Sequence, residues 1–194
     1  MMFWQRSPIR RLLALIMAAL LAFPAAAVAT YARGGDFTLS GPDGPLSLSD
    51  LRGKVVLIFF GYTSCPDVCP VSLARIDSCF SEMSSKELEQ VRALFITLDP
   101  ERDTVDRLRQ YTGYFHPNII GLRDEVETIK SVTDRYGIEF SKTIRPESAL
   151  GYSISHSTDI LLLDPNGRVV ESIPHNSEPA YLRGRIRALL HASQ

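Results

Sequence analysis

Hydrophobic positions along this chain fall into three patterns: short continuous runs, residues at helical spacing, and one long apolar block near the N-terminus. The runs Val55–Phe60 and Ala93–Leu98 are rich in branched and aromatic residues and end at Gly61 and at Asp99-Pro100. Such runs predict strands buried on both faces. After the first run, Val71, Leu73, Ile76 and Phe80 recur at helical spacing, predicting a helix from about Pro66–Cys69 to Phe80. Asp103 or Thr104 can cap a second helix reaching about Phe115, with Leu108 and Tyr111 on one side. Ile119–Leu122 is a short strand candidate, and Asp124 with Glu127 resembles a capped start for a helix carrying Val126, Ile129, Val132 and Tyr136 inward. Thr158–Leu163 and Arg168–Ile173 flank Asp164-Pro165-Asn166-Gly167, a strong hairpin signal. An amphipathic helix follows from about Glu178 to Leu190.

Upstream, Phe37-Thr38-Leu39 and Leu46-Ser47-Leu48 around the turn Gly41–Pro45 suggest a small hairpin, and Ser49–Lys54 one helical turn. Buried strands separated by helices and finished by an antiparallel hairpin predict an α/β fold, a sheet covered on both faces. No internal repeat interrupts it, and a single domain is expected over residues 36–194.

The long block lies outside that domain. Arg6, Arg10 and Arg11 precede the apolar stretch Leu12–Phe23, followed by Pro24 and small residues with A-x-A-like sites ending at Ala27 or Ala29. This is the layout of a secretory signal. The rival is a retained anchor, since the eighteen residues Leu12–Ala29 would span roughly 27 Å of helix against the ~30 Å hydrocarbon core. Residues 1–35 are therefore expected to be a signal peptide or membrane anchor plus a short linker, and both readings place the domain outside the cytoplasm.

Composition narrows the function. Hydrophobic residues at 45% and charged residues at 22% are a globular mixture. The formal net charge of −1 gives no basic field for nucleic acid. Residues 1–29 hold three arginines and no acid, leaving 18 basic against 22 acidic residues in a mildly acidic remainder. Three cysteines are too few for a disulfide scaffold, so any special thiol role is local.

That locality is Gly61-Tyr62-Thr63-Ser64-Cys65-Pro66-Asp67-Val68-Cys69-Pro70, between a predicted buried strand and a predicted helix. Open α/β sheets gather ligands at this edge, and helix N-terminal amides favour ionised thiols. On ideal helix, cysteines four apart have Cα atoms roughly 6 Å apart, within the ~4.4–6.8 Å disulfide range. Two thiolates on one metal sit roughly 4 Å apart, so the spacing allows a metal and also a bond. Two ligands hold a metal poorly. The third is sought in His156, just before the Thr158–Leu163 strand. Two soft thiolates and an imidazole suit copper, Cu(I) favouring few ligands and the imidazole also supporting Cu(II). A zinc site would need a fourth ligand at motif spacing, and none is visible. A structural disulfide and a merely hydrogen-bonded histidine are the plainer alternatives. Cys79 falls about 80° round the helix from Cys69 and reads as a buried spare thiol. Asp99 is expected near the same sheet edge, whereas Asp103 reads as a turn or cap carboxylate. His116, His175 and His191 read as loop or tail residues.

Together these residues resemble the SCO/SenC family of thioredoxin-like copper proteins that help assemble cytochrome c oxidase. The matching stretches are Gly53-Lys54 with Val55–Phe60, the Gly61–Pro70 segment, Leu98-Asp99-Pro100-Glu101-Arg102-Asp103-Thr104, and His156-Ser157-Thr158 leading into Leu163–Gly167. The resemblance covers roughly residues 36–190 in order. It implies a thioredoxin-like fold, a mixed sheet flanked by helices, in which Cys65, Cys69 and His156 bind copper and Asp99 lies near enough to tune it. It further implies delivery of copper to the CuA centre of oxidase subunit II, or reduction of the cysteines there, with an upstream copper donor or thiol reductant. Another cupro-protein could stand in the oxidase's place. Members are commonly tethered by an N-terminal helix, which implies a periplasmic domain at the inner membrane. Two positions depart from the pattern: Ser64 stands where many members carry histidine, and Arg123-Asp124 replaces small polar residues.

The chief rival is an extracytoplasmic thiol–disulfide oxidoreductase using Cys65 and Cys69. Thioredoxin-like exchangers use CxxC facing a cis-proline. Here the spacing is CxxxC, and no proline lies between Ser153 and Asp159. A peroxiredoxin is a weaker rival still, because its threonine three residues before the reactive cysteine is absent.

Overall fold

The structure, a computed structural model, describes residues 33–192. The export segment read from Leu12–Ala29 lies outside the described residues. Among those described, no helix is long and apolar enough to cross a membrane.

The elements run β1 (Thr38–Gly41), β2 (Gly44–Ser47), a 3-10 turn (Leu48–Leu51), β3 (Val55–Gly61), α1 (Val68–Ser81), α2 (Ser85–Glu89), β4 (Val91–Thr97), α3 (Val105–Phe115), β5 (Ile119–Leu122), α4 (Val126–Tyr136), β6 (Phe140–Ile144), β7 (Tyr152–His156), β8 (Ile160–Leu163), β9 (Val169–Ile173) and α5 (Pro179–Ala192). Five strands form one sheet in the order β5-β4-β3-β8-β9. β3, β4 and β5 are parallel, while β8 is antiparallel to β3 and β9 to β8. The sheet is therefore mixed. Every residue of β3 is buried, as a central strand covered on both faces requires. Full burial of side chains such as Phe59 and Phe60 stabilises by roughly 1.5–3 kcal/mol each.

Local chemistry sets the ends of the elements that bear on the site. Thr104 caps α3 by accepting from the Arg107 amide at 3.2 Å. α4 starts after Glu125, with no side-chain cap bond, so the expected Asp124 cap is not formed. The Asp124 carboxylate accepts from the Glu125 amide instead. α1 begins only at Val68, which leaves Cys65 in the preceding loop and Cys69 in the first turn.

Three elements lie outside the pattern read from sequence: an extra strand pair and a short helix. The pair β6–β7 forms its own two-stranded sheet, with Phe140 opposite His156 and Ile144 opposite Tyr152. His156 does lie just before a main-sheet strand, β8, and it also ends β7, on an arm separate from the five-stranded sheet. The third is the short helix α2, opened by a capping box between Ser84 and Glu87.

Candidate metal centre

Three side chains from two distant segments converge at the C-terminal end of β3. The Sγ atoms of Cys65 and Cys69 and a ring nitrogen of His156 lie within 4.8 Å of one another. Cys69 is fully buried and its Sγ is 3.7 Å from His156 Nε2. All three cysteines are free.

Why the imidazole presents Nε2 follows from its other nitrogen. His156 Nδ1 lies 2.7 Å from the Ser157 carbonyl oxygen, which can only accept. Nδ1 must therefore carry a proton, and Nε2 is the nitrogen turned toward the sulfurs. The ring is held edge-on between Phe59 and Tyr62, each centroid 6.2 Å away. β7 brings it there, and the Ser157 amide fastens the end of that strand to the Glu139 carbonyl at 2.9 Å.

The two thiols are electrically unequal. Cys69 hydrogen-bonds the Cys65 sulfur, and His156 and the Asp67 and Cys69 amides add to this against the opposing effect of burial. Together they hold Cys65 far below the ordinary thiol range, at about 3. Cys69 is pushed well above that range by the same bond, by burial and by the facing charge. One sulfur is thus an exposed-side thiolate at a helix N-terminus and the other a buried thiol. Close approach matters too: Gly61 closes β3 beneath Cys69, and a Cβ there would lie 2.7 Å from its Sγ. The Tyr111 hydroxyl is buried with no hydrogen-bond partner among the described residues, and the nearby sulfurs, after burial itself, push its ionisation upward.

Asp99 is not among the three converging donors. It is buried, takes an ion pair from Arg102 Nε, and accepts from the Tyr152 hydroxyl at 2.7 Å. Tyr152 lies on β7, four residues before His156, with the Arg102 guanidinium and Lys142 Nζ each 3.7 Å from its ring centroid. Asp99 is therefore tied to β7, the strand that carries the imidazole. Asp103, expected at a turn or cap, instead accepts from the Thr63 amide at 3.0 Å and from the Thr63 and Thr97 hydroxyls. Nothing in the residue pattern distinguished that role from capping. Ser64, at the departing position, accepts from Arg107 Nη2 at 3.0 Å. Arg123, at the other, donates to the Pro100 carbonyl. Cys79 is buried away from the donors, and burial raises its thiol to about 12.

A family model described as SCO1/SenC matches residues 25–191. The chain belongs to the SCO1/SenC family. Within it, the mitochondrial SCO2 protein of Saccharomyces cerevisiae is 35% identical over 169 residues, covering 86% of this chain and 56% of the yeast protein. The structure of Bradyrhizobium japonicum ScoI with copper bound has a TM-score of 0.75 and 35% identity, covering 82% of this chain and 100% of that one. BsSco, described as a member of the Sco family of cytochrome c oxidase assembly proteins, has a TM-score of 0.62 at 21% identity, covering 82% of this chain and 94% of its own, a likeness of fold. The mixed sheet flanked by helices is the thioredoxin-like fold of these Sco structures.

Proposed function

We propose that this SCO1/SenC chain is a copper carrier whose cargo is held by Cys65 Sγ, Cys69 Sγ and His156 Nε2. The observation that carries this reading is the convergence of the three donors, with the Nδ1 bond to the Ser157 carbonyl turning Nε2 toward the two sulfurs. A soft S,S,N set of this kind favours copper over calcium or magnesium, and with three ligands it lacks the closed tetrahedron of structural zinc. Copper-bound relatives such as the B. japonicum protein support the same cargo. When bound, copper supplies a soft, one-electron-active cation. The chain's own residues do the rest: Cys65 offers a ready thiolate, Cys69 gives up its proton, and Phe59 and Tyr62 flank the imidazole against water. The recipient fitting a family of cytochrome c oxidase assembly proteins is the CuA centre of subunit II, which the domain would load with copper or keep reduced. Such a recipient lies outside the cytoplasm, consistent with an export segment at the N-terminus and a domain held at the membrane face.

Anaerobic copper titration of the reduced protein tests this directly. One copper per chain is expected, with binding strongly weakened in Cys65→Ser and in His156→Ala. Unchanged binding in His156→Ala would remove the imidazole from the donor set. Rapid turnover of a small disulfide by copper-free protein would favour the oxidoreductase reading instead.

A further inference from the structure

Asp103 stands behind the loop that aims Cys65, and its bonding is unlike that of a cap. The side chain is fully buried. Its Oδ2 accepts from the Thr63 amide at 3.0 Å and the Thr97 hydroxyl at 2.6 Å, and its Oδ1 from the Thr63 hydroxyl at 2.5 Å. The same Thr63 oxygen accepts from Arg107 Nε at 2.6 Å, while Arg107 Nη2 holds Ser64. The two residues immediately before Cys65 are therefore clamped, one from within and both from outside. The clamp is also electrically lopsided. Asp103 is 0% exposed, whereas its cation, Arg107 at 3.7 Å, is 51% exposed and screened by solvent. An anion in a low-dielectric interior acts at longer range than a solvated cation can cancel.

We propose that Asp103 is a positioning residue with two effects: through Thr63 it fixes the loop that presents Cys65, and its buried charge biases the site toward Cu(II) over Cu(I). The inference rests on the copper reading above. Cu(II) and Cu(I) on one donor set differ by one charge whatever the protonation of the thiols. In the step concerned, copper gains one electron from a mediator and no ligand bond is made or broken. A fixed anion stabilises the more positive state, so its removal raises the midpoint potential.

The test compares wild type with Asp103→Asn and Thr63→Val. Asn keeps the shape, retaining the Thr63 amide and Thr97 bonds on its oxygen while the Thr63 hydroxyl turns to accept. Valine keeps the charge and removes the bridging hydroxyl. Mediated redox titration of the copper-loaded proteins should show Asp103→Asn raised by ~30–60 mV, a three- to tenfold change at ~59 mV per tenfold for one electron. Thr63→Val should leave the potential unmoved, weaken both copper states alike, and speed hydrogen exchange at the Cys65 amide of the copper-free protein. A potential in Asp103→Asn equal to wild type overturns the charge effect. Unchanged amide exchange in Thr63→Val overturns the clamp, and that arm decides even if Asp103→Asn fails to fold. Wild type that binds no copper sinks the copper reading instead, and the exchange measurement still judges the clamp.

Discussion

A methyl group added at Gly61 has no free space to occupy. An alanine Cβ would lie 2.7 Å from Cys69 Sγ and 2.8 Å from Phe95 Cε2, against ordinary carbon contacts of roughly 3.5–4.0 Å. Cys69 and Phe95 are both at 0% exposure, so neither can swing into solvent. Relief requires the sulfur and the ring each to retreat by about 0.7–1.3 Å, or the strand to shift. Overpacking of this kind costs ~1–3 kcal/mol. For a domain of this size each kcal/mol lowers Tm by about 2–4 °C, so a loss of roughly 4–8 °C is expected of Gly61→Ala at the middle of that range. The same retreat shifts the sulfur relative to His156 Nε2, now 3.7 Å away. Metal sites tolerate only about ±0.2 Å in ligand distance, and copper affinity should fall by tenfold or more. Thermal unfolding followed by circular dichroism, with and without copper, reads both effects. A Tm within about 1 °C of wild type together with an unchanged copper titration would refute the reasoning, because it would mean the pocket beneath the sulfur has slack.

Tyr152→Phe keeps the ring between Arg102 and Lys142 but removes the hydroxyl donated to Asp99; a loss of about 1–2 kcal/mol is expected in chemical denaturation. Copper should dissociate faster from that variant, measured by stopped-flow chelator competition, since β7 carries His156; an unchanged rate would disconnect Asp99 from the imidazole. Arg187, then the Ser84 amide and hydroxyl, hold Glu87 at about 2 against an ordinary 4.5. A depressed folded value gives stability that is present above pH 4.5 and lost as pH falls toward 2. The stability advantage of wild type over Glu87→Gln should therefore be widest at neutral pH, ~0.5–1 kcal/mol for a surface network, and close in acid; a gap independent of pH would contradict this. With its thiol raised to about 12 by burial, Cys79 should resist iodoacetamide in the native reduced protein while Cys65 is labelled. Peptide mass spectrometry showing rapid native labelling of Cys79 would count against that assignment.

The main sheet was legible because its strands are continuous apolar runs: Val55–Phe60 and Ala93–Leu98 announce burial on both faces, and both became neighbouring parallel strands. The helices showed themselves through spacing, with boundaries off by a residue or two where caps compete, as at Asp124 and Glu125. The arm β6–β7 was hidden for a physical reason. Phe140–Ile144 is largely exposed and Tyr152–His156 buries only Ile154, so neither strand carries an alternating or continuous apolar signal. α2 was findable, since Ser84 and Glu87 have the capping-box spacing. At the site, Cys65, Cys69 and His156 could be named from the cysteine spacing, their place at a strand–helix junction and the family resemblance, and the structure brings them together. The helix arithmetic used for the cysteine pair does not apply, because Cys65 precedes the helix. Asp103 and Tyr152 were missed because their roles depend on tertiary partners, Thr63 and Asp99, that no local pattern reveals.

The imidazole and the Cys69 sulfur come from positions 87 apart in the chain. An extended polypeptide offers at most the two neighbouring cysteines, and the complete trap exists only once the β7 arm has docked. Acquisition of cargo must then follow maturation of the polypeptide rather than guide it. Occupancy in turn locks the finished state, by ~4 kcal/mol when free metal exceeds the dissociation constant a thousandfold. An unfinished chain lacks the third donor and so holds the metal less well than the folded one.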